Sequence, residues 1–204
     1  MLPIRPSRLR SLTQRFARAE RGATAVEFAL VSLPLLMLVF GVLELGLLLL
    51  VSSTLDLATQ SAARDIRTGR FQTALATPAV TRDGFKALVC SKMTWLSTQC
   101  ASQLSLDIRT FANFNGLASP PALPATAFLP PNDPAYTRPC FSPGVAGDKV
   151  LVRAYFDWKL FTPLLNVALD NTGGGSHRLS STTAFQNEPY NANPPAGAQC
   201  STAP

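Results

Sequence analysis

From Ala29 to Val51 the chain reads ALVSLPLLMLVFGVLELGLLLLV, and this run limits what the rest can become. A helix needs about 20 mainly apolar residues to cross the hydrocarbon core of a bilayer. This run is long enough and apolar on every face. It exceeds the apolar core of an ordinary secretory signal, and no small-x-small cleavage site follows it directly. A single membrane-spanning helix near the N-terminus is therefore expected.

Charge then sets the orientation. The net charge of +6 is unevenly spread. Arg5, Arg8, Arg10, Arg15, Arg18 and Arg21 precede the run, against a single acid, Glu20, while acids and bases nearly balance after it. Positive loops stay cytoplasmic, so the N-terminus faces the cytoplasm and everything after the run is extracytoplasmic. The same arginines argue little for nucleic acid, since no downstream basic patch or aromatic platform accompanies them.

Polar residues interrupt the run in a pattern. Glu27 stands at its mouth and Glu44 deep within it. A carboxylate in lipid is costly and calls for protonation or a partner. Pro34 removes one helical hydrogen bond. Glu27, Pro34 and Gly41 recur at heptad spacing along one stripe, and Gly41 neighbours Glu44 one turn on. With Gly46, these residues form a candidate surface for packing against another membrane helix, because small residues permit close approach. The helix is expected to continue past the membrane: Leu55, Ala58, Ala62 and Ile66 keep helical spacing among polar neighbours, and Gly69 is a natural terminator.

The four cysteines, Cys90, Cys100, Cys140 and Cys200, all follow the run. In an oxidising extracytoplasmic compartment an even set reads as disulfides. Three pairings are open; the short Cys90–Cys100 interval favours that pair, with Cys140–Cys200 tying down the C-terminus. No CxxC pair exists and His177 is the only histidine, so no metal site is expected. Ser176-His177 follows a glycine-rich stretch and reads as a turn rather than a hydrolytic centre, which would need an orienting acid and an oxyanion site. No cofactor is implied, and the glycines lack the setting of a phosphate loop.

Beyond residue 70 the pattern becomes mixed. Phe85 to Cys100 has apolar residues at helical spacing and predicts one packed helix. Leu104 to Phe111, Lys149 to Leu160 and Arg178 to Gln186 read as strands, with Val150, Val152, Ala154 and Phe156 on one face. A short helix is expected between Thr162 and Leu169. Residues 113–147 are rich in proline and predict an exposed irregular loop.

The most specific string is RGATAVEFALV, Arg21 to Val31. Gly22 is followed at a fixed interval by Glu27 and Phe28, after a basic leader and before an apolar helix. This arrangement resembles the type IV prepilin processing site. The resemblance implies cleavage by a membrane prepilin peptidase between Gly22 and Ala23. Glycine leaves the scissile bond unobstructed, and Glu27 would neutralise a positive group on a neighbour. The longer segment AVEFALVSLPLLMLVFGVLELG is similar to the TadE-like pseudopilins of the tight-adherence (Flp pilus) assembly system. The stretch DKVLVRAYFDWKLFTPLL and the string Asn187-Glu188-Pro189-Tyr190 also resemble that family. The resemblance implies a non-enzymatic structural role at the bacterial inner membrane, with other pilins, pseudopilins and inner-membrane assembly proteins as partners.

The expected architecture is α+β. It has a basic leader (1–22) and a transmembrane helix and stalk (23–70). These carry a small pilin-like antiparallel domain (71–204) with one packed helix and a proline-rich loop (113–147).

Overall fold

The computed structural model of the chain describes residues 20–73, 80–162, 165–190 and 200. The leader up to residue 19, and the tail apart from Cys200, lie outside the described residues. The elements run in order as helices α1 (Glu20–Arg67), α2 (Arg70–Thr73), α3 (Arg82–Lys92) and α4 (Ser97–Gln103), strands β1 (Leu104–Phe111) and β2 (Lys149–Lys159), helix α5 (Leu165–Leu169) and strand β3 (Ser176–Gln186). The class is α+β, as expected. By contact the chain divides into two units, Met1–Gly46 and Leu47–Pro204.

In the first unit, the described part of α1 is an exposed apolar cylinder. Phe28, Leu30, Leu33, Leu38, Phe40 and Val42 all face outward. Water-soluble surfaces do not carry apolar area on this scale. Among the described residues one candidate membrane span, Thr24–Arg67, is present, and it fits a single-pass membrane protein.

The second unit begins within α1. Leu48, Val51, Leu55, Ala58, Ala62 and Ile66 are buried in its core. Their spacing places them on one helical face. Gln60, Ser61, Arg64 and Arg67 stay exposed on the other. Each large aliphatic side chain so buried stabilises the unit by about 1.5–3 kcal/mol. An exposed ion pair adds about 0–1 kcal/mol, so apolar packing, not charge, seats the helix.

The sheet is antiparallel in the order β1-β2-β3. Its register aligns Leu104 with Phe156, Leu106 with Ala154 and Ile108 with Val152. On β3, Phe185 aligns with Val150 and Leu179 with Phe156. These side chains form one face, and their buried members join the same core as the α1 residues.

Two expectations about helices give way here. The predicted helix Phe85 to Cys100 is broken into α3, a 3-10 turn at Thr94–Leu96, and α4. The disulfide Cys90–Cys100 explains the break. Ten residues of straight helix advance about 15 Å, whereas a disulfide needs Cα atoms about 4.4–6.8 Å apart. The observed separation is 5.5 Å. Thr94 accommodates the reversal in a left-handed conformation, φ 45°. The helix therefore folds back, although its apolar periodicity runs on unbroken. α3 itself starts at Arg82 rather than Phe85, because Thr81 Oγ1 accepts from Gly84 N at 3.1 Å.

The loop 113–147 is irregular, as predicted, but not wholly exposed. Pro139 to Gly144 is buried. Ile108 N donates to Cys140 O (2.9 Å) and Ser142 N to Ile108 O (2.8 Å), so this segment covers the edge of β1. A second disulfide joins Cys140 to Cys200. His177, expected in a turn, lies in β3 opposite Trp158, with Nδ1 facing the Leu169 carbonyl oxygen.

Candidate functional site

Gly22 and Ala23 lie within α1, whose described part begins at Glu20. Gly22 is exposed, and no atom stands within 4 Å of where a Cβ would be. The Gly22–Ala23 bond is thus helical yet unobstructed. Glu27 and Phe28 are exposed one turn further on.

The residues singled out for helix packing separate by exposure. Pro34 and Gly46 are exposed and Gly41 is half-buried, while Glu44 is only 2% exposed. Glu44 is therefore the one acid of α1's apolar segment withdrawn from the surface.

At its far end α1 meets the C-terminal string. Gly69 terminates the helix at φ +74°, with its N–H donating to Ile66 O at 3.0 Å. Arg67 O, otherwise an orphan carbonyl, accepts from Glu188 N at 2.8 Å. The side chains repeat the link, Arg67 Nη2 to Glu188 Oε1 at 2.9 Å. Asn187 Nδ2 faces Pro143 O and Val145 O, both at 3.0 Å, and Tyr190 Oη at 3.1 Å. Tyr190 lies flat against Gly69, where any Cβ would stand 2.4 Å from its ring. Burial, with Asp148 nearby, pushes the Tyr190 hydroxyl up to about 12. Asn187, Glu188 and Tyr190 thus form a clasp on the end of α1.

A second polar cluster lies on the other face of the sheet. Asp107, fully buried, sits opposite Arg153 in the β1–β2 register. Arg153 Nη2 donates to Asp107 Oδ2 at 2.6 Å and to Pro121 O at 2.8 Å. Arg109 Nε donates to Asp107 Oδ2 at 3.0 Å and Cys140 N to Asp107 Oδ1 at 3.0 Å. One carboxylate thereby ties two strands to the proline-rich loop. Beyond it, Arg178 pairs with Asp157 at 2.6 and 2.7 Å and lies 3.6 Å over the Phe128 ring. Sequence reasoning missed this cluster. Its trace was the placing of Asp107, Arg109 and Arg153 out of phase with the apolar alternation.

A cavity of about 640 Å³ opens beside α3, lined among others by Arg82, Asp83, Lys86, Tyr136 and Arg138. Among the described residues, Arg82 Nε and Nη2 are buried without a hydrogen-bond partner. Burial lowers the pKa of both Arg82 and Lys86. Such a lining favours an anionic group.

The TadE-like protein family model matches residues 22–64. The match stops short of the β2 stretch and of Asn187 to Tyr190, for which a resemblance was also read. No curated protein and no solved structure matches the chain. The matched segment runs from Gly22 through Glu27 and Glu44 into the part of α1 buried in the second unit. Through residues 22–64, the chain is similar to the TadE-like protein family.

Proposed function

We propose that this chain is a single-pass pseudopilin, or minor pilin, of a tight-adherence (Flp) pilus assembly and secretion system. It sits in the bacterial inner membrane with its N-terminus cytoplasmic. A prepilin peptidase removes residues 1–22, and the new N-terminus at Ala23 carries Glu27 as its fifth residue. The role is structural: α1 packs with other pilins, pseudopilins or inner-membrane assembly proteins, and the extracytoplasmic domain contacts further components.

The observation that carries this reading is the TadE-like match over residues 22–64, which begins at the glycine before the proposed cut. Electrostatics supports it. Glu27 lies on an exposed apolar helix, where an unpaired carboxylate is costly. The amino group of a neighbouring mature chain offsets that cost.

Mass spectrometry of the chain from cells with and without a prepilin peptidase tests the cut. A mature N-terminus at Ala23 only in peptidase-positive cells is expected; an intact leader there refutes processing. Glu27→Ala should then keep export and lose assembly.

The cavity beside Arg82 favours a second reading, an anchored extracytoplasmic binding module that is neither processed nor assembled. Under that reading Glu27→Ala has no effect.

A further inference from the structure

Along the sequence of α1, the expected span and the buried residues of the second unit follow one another without a break. About 20 residues fill the hydrocarbon core, so a span starting after Glu27 is complete near Leu47. Leu48 and Val51 are already buried in the core of the second unit. The first buried residues of that unit thus follow directly on the expected span in sequence.

An aromatic group stands against α1 just past the apolar run. Trp95 Nε1 donates to Thr54 Oγ1 at 3.3 Å, three residues past the end of the apolar run. Trp95 packs edge-on to Trp158, with centroids 6.4 Å apart, and Trp158 to Phe161 at 5.6 Å. Trp158 is buried, but Trp95 is 49% and Phe161 64% exposed. The β2–β3 connection leaves the sheet at this same end, where Lys159 pairs with Ser176. It carries Val167, 90% exposed. The opposite end of the sheet holds Gln186 and leads into the clasp on Arg67. Along α1, Thr54, which meets Trp95, lies nearer the apolar run in sequence than Arg67, which meets Glu188.

We propose that Trp95, Phe161 and Val167 form a membrane-resting surface, seated in the headgroup–acyl boundary of the bilayer that α1 spans. Indole is suited to that layer because its ring is apolar and its N–H polar. The Trp95 N–H is held by Thr54, so the ring lies beside the helix at the point of exit. Exposed apolar side chains at this end then cover acyl chains rather than water. This surface rests on α1 spanning the bilayer, and the test separates the two claims.

The full chain is reconstituted in phosphatidylcholine vesicles brominated either near the glycerol end or near the methyl end of the acyl chains. The protein has two tryptophans, so Trp158→Phe leaves Trp95 as sole emitter. The expected result is quenching of roughly two-fold or more by the shallow bromines, weaker quenching by the deep ones, and protection from aqueous iodide. Val167→Trp in a Trp95→Phe, Trp158→Phe background reports the β2–β3 connection and should behave alike. Phe40→Trp in that background reports the span and should respond to the deep bromines. If Phe40→Trp is quenched while Trp95 is open to iodide and untouched by bromine, the resting surface is refuted and the span stands. If Phe40→Trp is not quenched, the span fails and the surface with it. The unmodified chain, with both indoles reporting, must show the same shallow preference, which guards against an effect of Trp158→Phe on folding.

Discussion

Replacing Gly69 with alanine probes the clasp at its tightest point. Two costs add. Gly69 holds φ +74°, where a side chain costs about 1–2 kcal/mol. The new Cβ would also stand 2.4, 2.6 and 2.7 Å from three carbons of the Tyr190 ring. Real contacts do not come so close, so the ring must leave its seat. Its departure strains the 3.1 Å contact of Tyr190 Oη with Asn187 and, through the backbone, the Glu188 cap on Arg67. Overpacking of this kind costs about 1–3 kcal/mol. The expected loss is about 2–5 kcal/mol, a sizeable share of the ~5–15 kcal/mol that holds a typical domain. Urea unfolding of the full chain in detergent micelles, followed by tryptophan emission, measures it. A double-mutant cycle divides the two costs. In a Tyr190→Ala background the clash is gone, so Gly69→Ala should cost only about 1–2 kcal/mol. Equal costs in both backgrounds would refute the close approach, and a neutral Gly69→Ala would refute the left-handed terminator as well.

Asp107→Asn keeps the shape of the side chain but leaves the buried Arg153 charge unmatched. The loss should be about 3–5 kcal/mol, read from the same urea midpoints, and a loss below about 1 kcal/mol would sink the assigned role. Asp170 makes a pH-dependent contribution. Backbone N–H donors from Thr172 and Gly175 lead the causes that lower its pKa from 3.8 to about 2. A lowered folded pKa gives stability that is present above the unfolded value and lost as pH falls through the folded one. The wild-type midpoint should therefore drop between about pH 4 and pH 2 by more than that of Asp170→Asn. Parallel acid profiles would contradict the turn geometry.

What could be read from sequence was local. The strand Leu104–Phe111 was legible residue for residue, because alternation is a property of the strand alone. The continuation of α1 past Val51 was legible for the same reason: Leu55, Ala58, Ala62 and Ile66 keep one helical phase. Gly69 announced a stop, but not the ring lying on it. That contact joins residues 121 positions apart, and nothing in either neighbourhood encodes the other. Asp107 and Arg153 were equally opaque until the register aligned them. The second helix failed differently. Its periodicity and its Cys90–Cys100 pair were each readable, yet a straight helix and that disulfide exclude one another, and the covalent bond prevailed. The glycine–glutamate motif was visible because its meaning depends on order along the chain and not on folding.

The Glu188 cap on Arg67 also sets a timetable. Synthesis runs from the N-terminus, so α1 is made early while its last carbonyl waits for a donor 121 residues downstream. The three strands, which end at Gln186, are all made before that donor, so a nascent chain stalled before Asn187 has the sheet that covers the Leu55–Ile66 face and lacks the clasp. Closure of the clasp thus marks that synthesis has passed Tyr190, a signal written on α1 from 121 residues downstream.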